Sequence, residues 1–171
     1  DTLHPGDRFE GGGLEWLALG APGHDMGALV FYCEQEKLLI SGDALWEQSF
    51  GLVLPEPPEA LAAARATLET IAALDIRWVL PGHGDMFSDV GAAVTRAFGR
   101  IAYFEQDPAR LASHAIKAMF GFTLLDRGRL PLVSLSDLLQ KVPASAQMNA
   151  RYLHMGPDEL VHWFVSQMEK A

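Results

Sequence analysis

The chain has 171 residues, 49% of them hydrophobic and 20% charged, enough sequence for one domain or a domain with an appendage. Thirteen Lys and Arg against 22 Asp and Glu leave a formal net charge of −9, which opposes bulk attraction to nucleic acid or an anionic membrane. A lone cysteine, Cys33, excludes an intrachain disulfide, and no apolar run approaches the roughly 20 residues of a bilayer span.

Asp1–Gly13 is rich in Gly and Asp and reads as a loop with turns. Leu14–Leu19 is a short apolar run that predicts a strand, and Ala21–Gly27 is a loop by its Pro and Gly content. Ala28–Cys33 and Lys37–Ser41, joined by polar Glu34-Gln35-Glu36, predict a hairpin that ends at Gly42-Asp43. Residues 44–56 read as irregular. Pro58 stands near a helix start, and Leu61, Ala64, Leu68, Ile71 and Leu74 give the stripe of a helix. Arg77–Leu80 predicts a buried strand, broken by Pro81-Gly82-His83-Gly84-Asp85.

From Ser88 onward the pattern turns helical. Val90–Asp107 and Pro108–Phe120 predict two helices, with Asp107 as a cap and Pro108 at the first helical position. Leu130–Val133 is expected as a short strand and Ser136–Lys141 as a short helix capped by Ser136. Ser145–Leu153 and Pro157–Glu169 predict two more helices, the last with acids in its first turn. The expected organisation is a mixed domain over residues 1–88, then a small helical, winged-helix-like domain over 89–171.

Three loops share a chemistry. Pro22-Gly23-His24-Asp25, Ser41-Gly42-Asp43 and Pro81-Gly82-His83-Gly84 each adjoin a strand, carry glycine, and present a good metal ligand. Imidazole nitrogen with carboxylate oxygen suits zinc, iron or manganese, and a carboxylate can bridge two cations. Taken singly, each residue is an ordinary turn residue; their order along the chain is what carries information. Gly-His-Asp-Met-Gly-Ala-Leu, Leu-Ile-Ser-Gly-Asp-Ala-Leu and Val-Leu-Pro-Gly-His-Gly-Asp, each in its strand-and-loop context, resemble the second half of the metallo-β-lactamase fold. The resemblance covers residues 14–87.

It implies an α/β (α+β) architecture, the second half of an αββα sandwich followed by a mainly helical C-terminal domain. By the same resemblance His24 completes one metal position, Asp43 bridges two ions, and His83 belongs to the other. The implied cofactor is two divalent ions, zinc foremost, with iron or manganese admitted by the same donors. The implied nucleophile is a hydroxide held by the metals rather than a side chain. Asp25 and Asp85 are candidate partners for the imidazole N–H groups. Trp46, Phe50 and His114 are candidates for the substrate pocket, against the commoner fate of aromatics and helical histidines as packed residues. His154 and His162 read as helix residues without a ligand role, and Cys33 as a buried small hydrophobe.

Members of this family carry His-x-His-x-Asp-His in their first half, and this sequence has no such motif; His4 stands alone before Pro5-Gly6-Asp7. The expectation is a fragment that binds metal weakly or not at all and is inactive by itself. One face of its sheet, with Val30, Tyr32 or Leu39, is expected to lack its partner, so the chain would self-associate or pair with a missing N-terminal half. The intact protein is expected to hydrolyse a small ester, thioester, lactone or amide. A single-iron sulfur dioxygenase of the same fold, or a non-catalytic truncated binding module, are the competing readings. A glutathione thioesterase ranks lower, because the tail offers only Lys117, Lys141 and Lys170. The sequence shows no secretory leader; the cytoplasm is the expected compartment, with a small-molecule substrate and neither nucleic acid nor membrane as partner.

Overall fold

The computed structural model describes residues 2–169; Asp1 and residues 170–171, including Lys170, lie outside them. It divides into two units, Asp1–Gln106 and Asp107–Ala171.

The first unit is built on a five-stranded sheet in the order β1-β2-β3-β4-β5. Its strands are β1 Arg8–Gly11, β2 Leu14–Gly20, β3 Leu29–Cys33, β4 Leu38–Gly42 and β5 Trp78–Pro81. The first four pair antiparallel as successive neighbours, and β5 pairs parallel to β4 after a crossover through α1, Ala60–Ala72. β2 to β5 and α1 stand where the periodicity puts them. β1 does not: Arg8–Gly11 was expected as loop. Gly12 and Gly13 adopt φ of +64° and +76°, the backbone of a two-residue hairpin turn that brings Phe9 opposite Trp16. The glycines that suggested a loop are thus the turn of a hairpin.

Burial of the sheet is lopsided. Register places Val30, Tyr32, Leu39 and Val79 on one face, where they are 0–7% exposed. The Tyr32 hydroxyl donates to the carbonyl of Asp75 just beyond α1, at 2.9 Å. Burial, with the nearby acids Asp75 and Glu34, holds the Tyr32 phenol above its ordinary pKa. The expected bare face was therefore assigned to the wrong side. The pleat sends alternate residues to the opposite face, where Trp16, Ala18 and Cys33 are buried but Phe9, Phe31, Leu38, Ile40, Trp78 and Leu80 are only part-buried. An edge-to-face contact joins Phe9 and Phe31 at 5.3 Å.

The helix α2, Val90–Glu105, belongs to the first unit, which moves the expected boundary from residue 88 to 106. Its stripe Ala93, Val94, Ala97, Ile101 and Phe104 is buried. It is tied to α1 by the Arg65 guanidinium, which donates to both carboxylate oxygens of Glu105 at 2.8 and 2.5 Å. Arg65 holds the Glu105 carboxyl below its ordinary pKa, so this pair stabilises at neutral pH and is lost as acid protonates Glu105.

Among the described residues the second unit is wholly helical: α3 Pro108–Arg127, α4 Leu132–Lys141, α5 Pro143–Met148, a π-helical turn Asn149–Leu153, and α6 Pro157–Met168. Asp107 accepts from the Ala109 amide and Pro108 opens α3, as the sequence predicts. The strand expected at Leu130–Val133 is instead the lead-in and first turn of α4, with Pro131 before it. A lone strand there has no ladder partner to satisfy its backbone groups. Ser136 falls inside α4, where its hydroxyl accepts from the Gln140 side chain rather than capping. With no strand after β5 among the described residues, the hairpin that a winged helix requires is missing. A cleft of about 260 Å³ in this unit is lined by Leu124 of α3, Leu130 before α4, Leu132 and Leu135 of α4, and Phe164, Val165 and Met168 of α6, with Glu169 at its end.

Candidate metal centre

Parallel pairing of β4 and β5 puts the loops after both strands at the same sheet edge. There the Gly82 amide donates to the Gly42 carbonyl at 2.8 Å, which draws the His83 loop against Asp43. The third loop arrives from the β2–β3 connection, closed by the Ala21 amide on the Ala28 carbonyl at 2.8 Å. The Thr67 hydroxyl of α1 donates to the Pro22 carbonyl at 2.8 Å and anchors it.

The result is one carboxylate flanked by two imidazoles. His24 Nε2 lies 3.4 Å from Asp43 Oδ2, and His83 Nε2 lies 3.8 Å from Asp43 Oδ1. Each imidazole faces a different oxygen. Their side chains are 42% and 71% exposed and that of Asp43 is 33% exposed, so the cluster opens to solvent. His24 Nδ1 sits 2.6 Å from the Leu52 carbonyl oxygen. A carbonyl only accepts, so Nδ1 carries a proton in this contact and Nε2 is the ring atom that faces Asp43.

The remaining sequence candidates divide. Trp46 Nε1 donates to Asp43 Oδ1 at 3.1 Å and to the Gly42 carbonyl at 3.2 Å, and its ring meets His83 edge-on at 5.0 Å. It therefore holds the cluster from the side, a role that sequence reasoning missed although the Asp-x-x-Trp spacing was visible. Phe50 is 7% exposed and forms, with His24 and Asp43, the wall of a cavity of about 10 Å³, room for about one water. Packing rather than a pocket mouth is its place.

Asp25 is not a partner of an imidazole: its Oδ1 accepts from the Gly27 amide at 2.6 Å and shapes its own turn. The Leu52 carbonyl does that work for His24 instead. Asp85 is exposed and pairs with neither imidazole among the described residues. His114 lies half-buried on α3, in the other unit.

Close approach explains the glycines. A Cβ on Gly82 would stand 2.9 Å from Asp43 Oδ1 and 3.0 Å from the Gly42 carbonyl carbon; one on Gly51 would stand 2.7 Å from Asp43 Cβ and 3.0 Å from His24 Cγ. No side chain larger than hydrogen fits at either place without moving the carboxylate.

The donor set suits divalent cations, with one imidazole and one carboxylate oxygen on each side. It does not close around any single ion: no group of three or more His, Cys, Asp or Glu side chains among the described residues does. The chain thus sets one carboxylate between two imidazoles, each facing a different oxygen.

Residues 1–83 match the model of the metallo-beta-lactamase superfamily. A hydroxyacylglutathione hydrolase of Bartonella henselae is 42% identical over 57 residues, which are 33% of this chain and 22% of that protein. A probable metallo-hydrolase of Bacillus subtilis is 29% identical over 107 residues, 58% of this chain and 34% of that protein. The chain therefore spans about a third or less of the length of these relatives. Among solved structures, a metallo-beta-lactamase family protein of Thermus thermophilus superposes with a TM-score of 0.54 and 27% identity. That likeness covers 99% of this chain and 49% of the other, so the helical unit shares in it. No helix among the described residues is long and apolar enough to cross a membrane.

Gly82→Ala should lower stability by about 1–3 kcal/mol in urea unfolding, the cost of overpacking. Gly99→Ala, where a Cβ meets nothing within 4 Å in the middle of α2, should be neutral or stabilising by about 0.5–1 kcal/mol. Equal effects would contradict the packing of Gly82 on Asp43.

Proposed function

We propose that the intact protein is a metal-dependent hydrolase of the metallo-beta-lactamase superfamily acting on a small ester, thioester, lactone or amide. The observation that carries this reading is the split of Asp43, one oxygen facing each of two imidazoles. On it, His24 Nε2 with Asp43 Oδ2 would hold one divalent ion and His83 Nε2 with Oδ1 a second, zinc foremost, with iron or manganese suited to the same donors. When bound, such ions supply Lewis acidity toward a carbonyl or phosphoryl oxygen and make water acidic enough to attack at neutral pH.

The chain's own residues orient. The Leu52 carbonyl engages Nδ1 of His24 and so turns Nε2 toward the position a cation would take. The Gly82–Gly42 bond keeps His83 beside the carboxylate. With two donors for each ion, this chain alone is expected to bind metal weakly and to be inactive; the remaining ligands would come from outside it. The stretch shared with hydroxyacylglutathione hydrolase supports the reaction class. That stretch is 22% of the relative's length, and among the described tail residues Lys117 and Lys141 meet Gln167 and Asp137 rather than each other.

The part-buried face with Phe9, Phe31, Ile40 and Leu80 supports a second sheet as partner, from a missing N-terminal half or from another copy of the chain. Sedimentation of the isolated chain should report a species heavier than a monomer, and Phe31→Asp should reduce it; a compact wild-type monomer with low dye binding would contradict this pairing.

For the hydrolase reading, the experiment is metal quantification and an ester, thioester and lactone panel on the polypeptide carrying the complete sandwich. His24→Ala and His83→Ala should each reduce bound metal and lower hydrolysis by more than about 100-fold. Unchanged metal content and activity in both would overturn the assignment.

A further inference from the structure

Asp43 could swing about its own side-chain torsions, and a swung carboxylate would no longer face both imidazoles. His24 is fixed independently, by the Leu52 carbonyl at 2.6 Å. Nothing similar fixes His83: among the described residues its ring meets only Asp43 and Trp46. Trp46 alone touches both of the less constrained groups.

Its indole N–H donates to Asp43 Oδ1, and the ring edge meets His83 at 5.0 Å with the planes 77° apart. Trp46 is itself held at two further points. Nε1 shares its proton with the Gly42 carbonyl at 3.2 Å, and the Trp46 amide donates to the Ser49 carbonyl at 2.7 Å. An acceptor oxygen has more than one lone-pair direction, so an N–H on Oδ1 still leaves a direction for a cation beside His83.

We propose that Trp46 is a positioning residue for the metal centre, which sets the torsion of the Asp43 carboxylate through its indole N–H and the tilt of His83 through its ring edge. This deepens the hydrolase reading and rests on it, because it takes His24, Asp43 and His83 as ligands. Trp46 touches neither ion nor substrate. It acts on the affinity with which the carboxylate is offered, where loss of an outer partner costs about 10–100-fold in metal binding.

The test separates the two ideas. In the nitrogen-15 spectrum of the full chain, four tryptophans give four indole N–H resonances, and Trp46→Phe identifies the one from residue 46. Asp43→Asn should move that resonance and leave the other three in place, with no metal added. Zinc is then titrated into the polypeptide carrying the complete sandwich while the imidazole resonances of His24 and His83 are followed. Trp46→Phe, which keeps a ring edge and loses the donor, should weaken zinc binding by about 10-fold or more without changing the urea midpoint by a comparable factor. In the Asp43→Asn background the same substitution should have no further effect on zinc, since the partner of the N–H has been altered.

An indole resonance indifferent to Asp43→Asn would overturn the proposal whatever zinc does. So would unchanged zinc affinity in Trp46→Phe while Asp43→Asn and His24→Ala lower it; the ligand assignment would then survive alone. On the polypeptide carrying the complete sandwich, zinc that moves neither wild-type imidazole, or binds equally to Asp43→Asn, would overturn the ligand assignment and the proposal together.

Discussion

One backbone acceptor organises the site. The carbonyl oxygen of Gly42, the last residue of β4, receives the Gly82 amide at 2.8 Å and the Trp46 indole at 3.2 Å. The first of these bonds joins the loops that leave two neighbouring parallel strands; the second closes the irregular segment after β4 back over the strand end. Asp43 follows directly and has little choice of position. A carbonyl at the end of a strand lacks its next ladder partner, and here two site-forming donors supply one. The chemistry of the centre is thus attached to the backbone ladder rather than to flexible side chains alone.

The rest of the first unit supports that point from behind. α1 carries the crossover that makes β4 and β5 parallel, and its Thr67 hydroxyl holds the loop of His24. The Ser41 hydroxyl, on a residue 1% exposed, donates to the Leu45 carbonyl at 2.6 Å and tightens the turn after β4. The cavity behind His24 and Asp43 has room for about one water, so the carboxylate has solid packing on its inner side and solvent on its outer side. A rigid inner wall with an open mouth is what a carboxylate needs if it is to meet cations without a costly rearrangement.

Much of this was legible in the sequence. The ordered phrases around His24, Asp43 and His83 named three loops, and strand periodicity put each at a strand end; the parallel pairing of β4 and β5 that brings two of them to one edge is visible only in the structure. What escaped was whatever depended on register or on backbone acceptors. The side of the sheet left part-buried was misassigned because one residue of register exchanges Val30 and Tyr32 for Phe31. Asp25 was expected beside an imidazole because it follows His24 in sequence, yet adjacent residues in a turn point apart and its carboxylate closes on Gly27. No side-chain pattern encodes the Leu52 carbonyl as a partner of His24. β1 was hidden by the glycines of its own turn, and the start of α4 by a proline and a β-branched residue that locally suit a strand.

The central claim is spatial: two cation positions, one on each oxygen of a single carboxylate. Crystals of the polypeptide carrying the complete sandwich, soaked in zinc, with anomalous differences recorded at the zinc edge, would test it most directly. The account predicts two peaks astride Asp43, one within bonding distance of His24 Nε2 and one of His83 Nε2. Zinc peaks at other residues, with none touching Asp43, would contradict it.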